Sequence, residues 1–207
     1  YDAILGMDGE GWYWAAHQRD IPYVAFCEAV LAEVLPFEAG TIREALAVQA
    51  HWEQAAAHVA DAVVARSAFS AARVAERYGV ARNRITVLPI PIELAAWRGR
   101  LPVVPKEALV LAVGHLYPRK NYGTLIECWP RVVTANPRVR LAIVGTGPQA
   151  TALGELATRT TNVQLLGHVP FAQLLELYAR AQVFCHPSLQ ENFGIAVVEG
   201  LASGAGV

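Results

Sequence analysis

Two successive runs of alternating strand and helix signals, separated by a proline-rich connector, predict an α/β chain with two parallel-sheet domains. Short apolar runs of strand length recur along the chain, and between them apolar residues fall at helical spacing. Strands that alternate with helices argue for parallel sheets covered on both faces. Pro89, Pro91, Pro102 and Pro105 break regular pairing between residues 88 and 105, which fits a connector. These signals give domains at 1–95 and 107–207, with a hinge at 96–106.

In chain order, residues 3–7 and 23–26 read as strands, with a helix over 12–18 between them. From Thr41, the apolar residues Ile42, Leu46, Trp52, Ala56 and Val59 mark a long helix, with Thr41 and Glu44 placed for a capping box. A strand at 62–65 precedes a helix over 68–78, with Ser67 as its cap and Gly79 as its stop, and residues 85–88 form another strand. Beyond the connector come strands at 109–113, 140–144, 163–165 and 181–185. Helices at 122–133, up to about 158, and at 171–180 alternate with them. Phe171, Leu174, Leu175 and Tyr178 are the core side of the last of these.

Composition limits the function. A hydrophobic share of 54% supplies a core, and a net charge of −1 gives no electrostatic case for a nucleic-acid partner. Cys27, Cys128 and Cys185 are scattered and odd in number, which suits neither a disulfide framework nor a zinc cluster and points to a reducing, cytoplasmic setting. No apolar run has the length of a transmembrane helix, and no basic-then-apolar leader precedes Tyr1. The chain starts inside a strand-like run and stops just after a helix, so it reads as a fragment.

The stretch 186–204, HPSLQENFGIAVVEGLASG, carries the clearest chemistry. Pro187 ends the preceding strand, and Gly194 opens a helix that is apolar or small on every side except at Glu199. A carboxylate there needs hydrogen-bond donors. Glu191 lies in the loop before that helix, where free N–H groups favour negative charge. Taken singly, Glu191 is an ordinary first-turn acid and Glu199 a charge at a helix rim. Four loops after successive strands, at 114–121, 145–149, 167–170 and 187–194, collect the other unusual residues; in open parallel sheets such loops border the ligand crevice. Lys120 and Arg119 offer a point charge and a bidentate fork for a diphosphate, or else form a solvated pair. Gly145 and Gly147 permit a tight turn and close approach to a ligand.

The spacing Glu191, Phe193, Gly194, Glu199 resembles the two-glutamate motif of retaining GT-B glycosyltransferases, especially glycosyltransferase family four. The loop GHLYPRKN resembles that family's diphosphate-binding loop, with His115 where a common form has arginine. The resemblance implies two Rossmann-like domains, both incomplete in this chain. It implies transfer of a hexose from a nucleotide diphosphate sugar to an acceptor hydroxyl with retention, by front-face departure and attack. Catalytic roles would fall to Glu191, Lys120 and Arg119. Donor contacts would fall to Glu199 on the ribose, to Gly145, Gly147, His168 and Val169 around the phosphates and base, and to Asn192, Phe193 and Gly194 at the helix start. Asp8 and Glu28 occupy post-strand loops that face the acceptor in the family, where this chain has no histidine. The connector departs from the family pattern, with Glu93 at the acidic position and no glycine. No cofactor and no metal are implied. The acceptor would be a sugar, a lipid-linked or a small molecule, with room for peripheral membrane association. Two other readings are a nucleotide-binding module without turnover, and an epimerase or phosphorylase on the same fold.

Overall fold

The computed structural model describes residues 2–17 and 20–207. The chain divides into two compact units, Tyr1–Ile90 with Gln190–Phe193, and Pro91–Leu189 with Gly194–Val207. In the first, β1 (Ile4–Met7), β2 (Tyr23–Cys27), β3 (Ala62–Ala65) and β4 (Ile85–Val87) lie side by side in that order, all parallel. Helices α1 (Trp12–His17), α2 (Leu31–Val34), α3 (Gly40–Val59) and α4 (Ala68–Tyr78) connect them. The helix expected over 12–18 ends at His17 as described, and Gln18 lies outside the described residues. Ser67 caps α4 as its sequence predicts, its side chain accepting from Ser70 N at 3.0 Å. Gly79 ends that helix at φ +68, a conformation that costs glycine little.

Three expectations for this unit are corrected. The Thr41–Glu44 capping box does not form, because α3 begins at Gly40 behind Ala39 and Thr41 is already inside the first turn. The stripe read for α3 is also partly outward. Ile42 and Trp52 are 41% and 38% exposed, while Ala50, Glu53, Ala56 and Ala57 face the core. Cover on both sheet faces is likewise not met here. Ala15, Ala56, Ala57, Val74 and Tyr78 all join one cluster with Tyr23, Ala25, Cys27 and Val63, and Leu5, Met7 and Val87 stay exposed.

In the second unit, β5 (Glu107–Val113), β6 (Arg140–Val144), β7 (Val163–Gly167) and β8 (Ala181–Phe184) form a parallel sheet in the order β7-β6-β5-β8. Its helices are α5 (Leu94–Arg100), α6 (Tyr122–Ala135), α7 (Ala150–Thr158), α8 (Phe171–Arg180) and α9 (Ile195–Ala202). This sheet is covered on both faces. Leu109, Leu111, Ala142 and Val144 pack into one cluster with Leu175 and Tyr178, and the alternate residues Ala112, Leu141 and Ile143 pack into another with Ile126 and Trp129. Among the described residues no helix is long and apolar enough to cross a membrane.

The boundary between units falls between Ile90 and Pro91, upstream of the hinge read at 96–106. Trp97 is the physical reason. Its indole is 7% exposed within the second core, and its Nε1 donates to Ser203 Oγ at 2.9 Å. Lys106 Nζ donates to Ala181 O at 2.8 Å and to Ser203 O at 2.9 Å, so both ends of that span are fastened.

Glu53, in the middle of α3, is fully buried. Its Oε2 accepts from Leu31 N at 2.9 Å and from the Tyr78 hydroxyl. Burial pushes its carboxyl up to about 7, against the opposing pull of these two bonds. The folded state therefore holds this proton to higher pH than the unfolded chain does. Its contribution to stability is present below the ordinary value of 4.5 and is lost as pH rises through about 7. Unfolding free energy measured by urea titration is expected to fall across that window by on the order of 3 kcal/mol, and Glu53→Gln is expected to flatten the profile.

Candidate functional site

The loops that follow β5, β6 and β7 interlock at the carboxyl edge of the second sheet. Gly114 N donates to Val144 O at 3.0 Å, Leu116 N to Thr146 O at 2.9 Å, and Gly145 N to Gly167 O at 2.9 Å. A side chain on Gly145 would run into the Gly114 carbonyl oxygen, and a Cβ on Gly147 would sit 2.7 Å from Leu116 N. The joined loops border a cavity of about 310 Å³. Gly114, His115, Gly145, Thr146, His168 and Val169 line it, with Phe171 and Leu174 from the first turn of α8. Gly145, His168 and Val169 thus meet, as their positions in the sequence predict. Gly147 is outside the lining, where its missing side chain lets the second loop lie on the first.

Pro118–Lys120 is a single 3-10 turn, and Asn121 at φ +56 passes the chain into α6. The Lys120 side chain runs beside the cavity lining, its Cε 3.9 Å from where a Cβ on Gly114 would stand. The Arg119 guanidinium lies 5.1 Å over the Tyr117 ring, and its carbonyl accepts from Leu189 N at 2.8 Å. Two loops expected at one crevice are therefore joined by a main-chain bond.

Glu199 is half-buried on α9 and does not line the cavity. Its Oε2 accepts from the Tyr178 hydroxyl at 2.7 Å, and its Oε1 has no hydrogen-bond partner among the described residues. Burial raises its carboxyl above the ordinary range, and the Tyr178 bond offsets part of that. Tyr178 is fully buried, and the Tyr122 phenol is near enough to raise it further. Tyr122 in turn abuts Gly114, its hydroxyl 2.7 Å from where a Cβ would be. Tyr178 and Tyr122 belong to separate core clusters. The sequence treats Tyr178 as core alone. The missed signal is a hydroxyl in the apolar side of α8, one helix before a carboxylate that needs a donor.

The loop Gln190–Phe193 packs with the first unit. There the Asn192 carbonyl accepts from Ser67 Oγ at 2.7 Å and Ser70 Oγ at 3.2 Å, and its Oδ1 accepts from Val30 N at 3.3 Å. Asn192, expected at the donor, has its acceptors engaged in holding this loop. Glu191 Oε1 accepts from Asn192 N at 3.2 Å. Gly194, at φ +83, caps α9. Asp8 Oδ1 accepts from Glu28 N at 3.0 Å, and Asp8 lines a cavity of about 460 Å³ in the first unit. Glu28 is outside that lining, and Arg66 engages both its oxygens, Nε to Oε2 at 2.9 Å.

Residues 95–207 match the family described as "Glycosyl transferases group 1", and residues 2–96 match "Glycosyltransferase Family 4". The chain is 33% identical over 167 residues to a D-inositol 3-phosphate glycosyltransferase of Nocardia farcinica, covering 72% of this chain and 37% of that protein. It is 32% identical over 121 residues to a phosphatidyl-myo-inositol mannosyltransferase of Mycobacterium tuberculosis, covering 57% of this chain and 32% of that protein. The aligned part therefore spans only about a third of the length of these relatives. Among solved structures, Anabaena HepE in complex with UDP-glucose aligns at a TM-score of 0.72 with 20% identity, covering 99% of this chain and 58% of that one. A sucrose-phosphate synthase from Thermosynechococcus elongatus aligns at 0.74 with 21% identity, over 99% and 55%. Both likenesses concern the fold.

The contact at Gly145 is directly testable. Gly145→Ala is expected to lower the unfolding free energy by more than about 2 kcal/mol, because backbone must move to admit the methyl group. Gly123→Ala, in α6 with nothing within 4 Å of the added carbon, is expected to stabilise by about 0.5–1 kcal/mol in the same thermal or urea titration.

Proposed function

Because the chain belongs to the glycosyl transferases group 1 family, we propose that the full protein moves a hexose from a nucleotide diphosphate sugar to an acceptor hydroxyl, with retention at the anomeric carbon. The observation that carries this reading is the cavity at the carboxyl ends of β5, β6 and β7, lined by two glycines in backbone contact and by His115 and His168, with Lys120 in the loop after β5 beside Gly114. Polypeptide so closely packed leaves main-chain groups bordering the cavity, which suits a nucleotide and its phosphates. The UDP-glucose bound by HepE supports the same class of donor.

In this mechanism the bond from the anomeric carbon to the diphosphate oxygen breaks with its electron pair on the oxygen. Lys120 and Arg119 stabilise that growing charge where it forms, a fixed electrostatic contribution larger than most proton-transfer effects. The sugar, left with positive character, is attacked on the same face by the acceptor hydroxyl, whose proton passes to the departing phosphate. Glu191 orients the sugar. Glu199 accepts a ribose hydroxyl at Oε1 while Tyr178 occupies Oε2. His168 and Val169 border the base, and the N–H groups of Phe193 and Gly194 hold sugar or phosphate oxygens. Asp8 faces the acceptor, while Glu28 acts through its ion pair with Arg66.

Lys120→Ala in the full-length enzyme is expected to lower turnover by about 100-fold or more with an unchanged melting temperature. Turnover within a few-fold of the parent contradicts the assignment. Glu199 accepts best as a carboxylate, so UDP affinity is expected to weaken as pH falls through its raised pKa, and Glu199→Gln is expected to remove that dependence. Product NMR reads the stereochemistry, and an inverted anomer contradicts retention.

A further inference from the structure

The second cavity lies wholly within the first unit, at the carboxyl end of β1. Its lining includes Asp8, Glu10, Trp12, Gln49 and Trp52. Trp12 and Trp52 stack with ring centroids 4.8 Å apart and planes 22° apart, and Trp52 keeps 38% of its surface exposed. The β1 loop is pressed against this aromatic pair, since a Cβ on Gly9 would sit 2.7 Å from Trp52 Cβ. A rigid aromatic surface beside a polar rim is the arrangement that separates the two faces of a carbohydrate. Ring C–H groups bury apolar area on indole, and hydroxyls donate to carboxylate and amide oxygens.

Charge narrows the ligand further. Among the described residues no lysine, arginine or histidine lines this cavity, whereas two carboxylates do. The Arg66 guanidinium is committed to Glu28. A phosphate brought here meets like charge with no lining cation among the described residues to receive it, which repels it and selects against it. Burial already raises the Asp8 carboxyl, and Glu28 and Glu10 add to that.

We infer that this cavity takes the acceptor as an uncharged sugar or polyol ring laid on the Trp12–Trp52 pair, and that it rejects phosphorylated acceptors. This rests on the transferase reading for the word acceptor, while the binding chemistry stands on the cavity alone. It separates this chain from the relative whose name specifies an inositol phosphate.

Saturation-transfer NMR on the full-length protein tests it with matched probes: methyl α-D-glucopyranoside against glucose 6-phosphate, and myo-inositol against its 3-phosphate. The neutral member of at least one pair is expected to bind about tenfold or more tightly than its phosphate, with little dependence on salt. Trp52→Ala is expected to weaken it about tenfold, while Trp52→Phe retains most of the affinity and reports that the fold is intact. Tighter binding of the phosphates, no binding of either neutral ring, or an unaffected Trp52→Ala overturns the inference. UDP affinity, measured in parallel, separates the two readings. Loss of UDP binding with neutral-sugar binding retained sinks the donor site and leaves this one standing.

Discussion

The second unit depends on the approach of two main chains at Gly114 and Gly145. The Gly114 carbonyl occupies the space that any side chain at 145 would need, so the loops after neighbouring strands touch backbone to backbone. The Gly114 N–H bond to Val144 and the Gly145 N–H bond to Gly167 fix the three loops as one body. A cavity edged in this way changes shape little when a ligand enters, which is what pre-organised electrostatic stabilisation requires. The Lys120 side chain passes the same Gly114, its Cε 3.9 Å from where a Cβ would stand.

Each unit also buries a glutamate and answers it with a tyrosine hydroxyl, yet the two pairs differ in purpose. Glu53 has its Oε2 held by Tyr78 and by the Leu31 N–H, and no solvent reaches it. That acid pins α2 to α3 and is structural. Glu199 receives Tyr178 on one oxygen and is only half-buried, so its other oxygen stays available. In both pairs one carboxylate oxygen lacks a donor among the described residues; at Glu53 that oxygen is sealed from solvent, whereas Glu199 is only half-buried.

Much of this was legible in the residues. Strand-and-helix alternation, the Ser67 cap, the Gly79 stop and the grouping of Gly145, His168 and Val169 at one edge follow from local chemistry and from the geometry of parallel sheets. What was not legible depends on long-range packing. The prolines at 89–105 suggest a loose connector, but one buried indole at Trp97 draws its helix into the second core. Apolar spacing along α3 marks Ile42 and Trp52 as core, but small alanines make the closer contact with the sheet, and the larger residues remain outside. Asn192 reads as a ligand contact by its place in a motif, and its acceptors turn out to hold the loop.

The central claim is that a nucleotide sits on the interlocked loops of the second unit. Amide hydrogen exchange with and without UDP tests it most directly, since a ligand slows local opening where it binds. The account predicts slowed exchange in segments 114–120, 145–149 and 167–169, with the β1 loop at Asp8 and Gly9 unchanged. Protection confined to the first unit, or none in those three loops at saturating UDP, contradicts it.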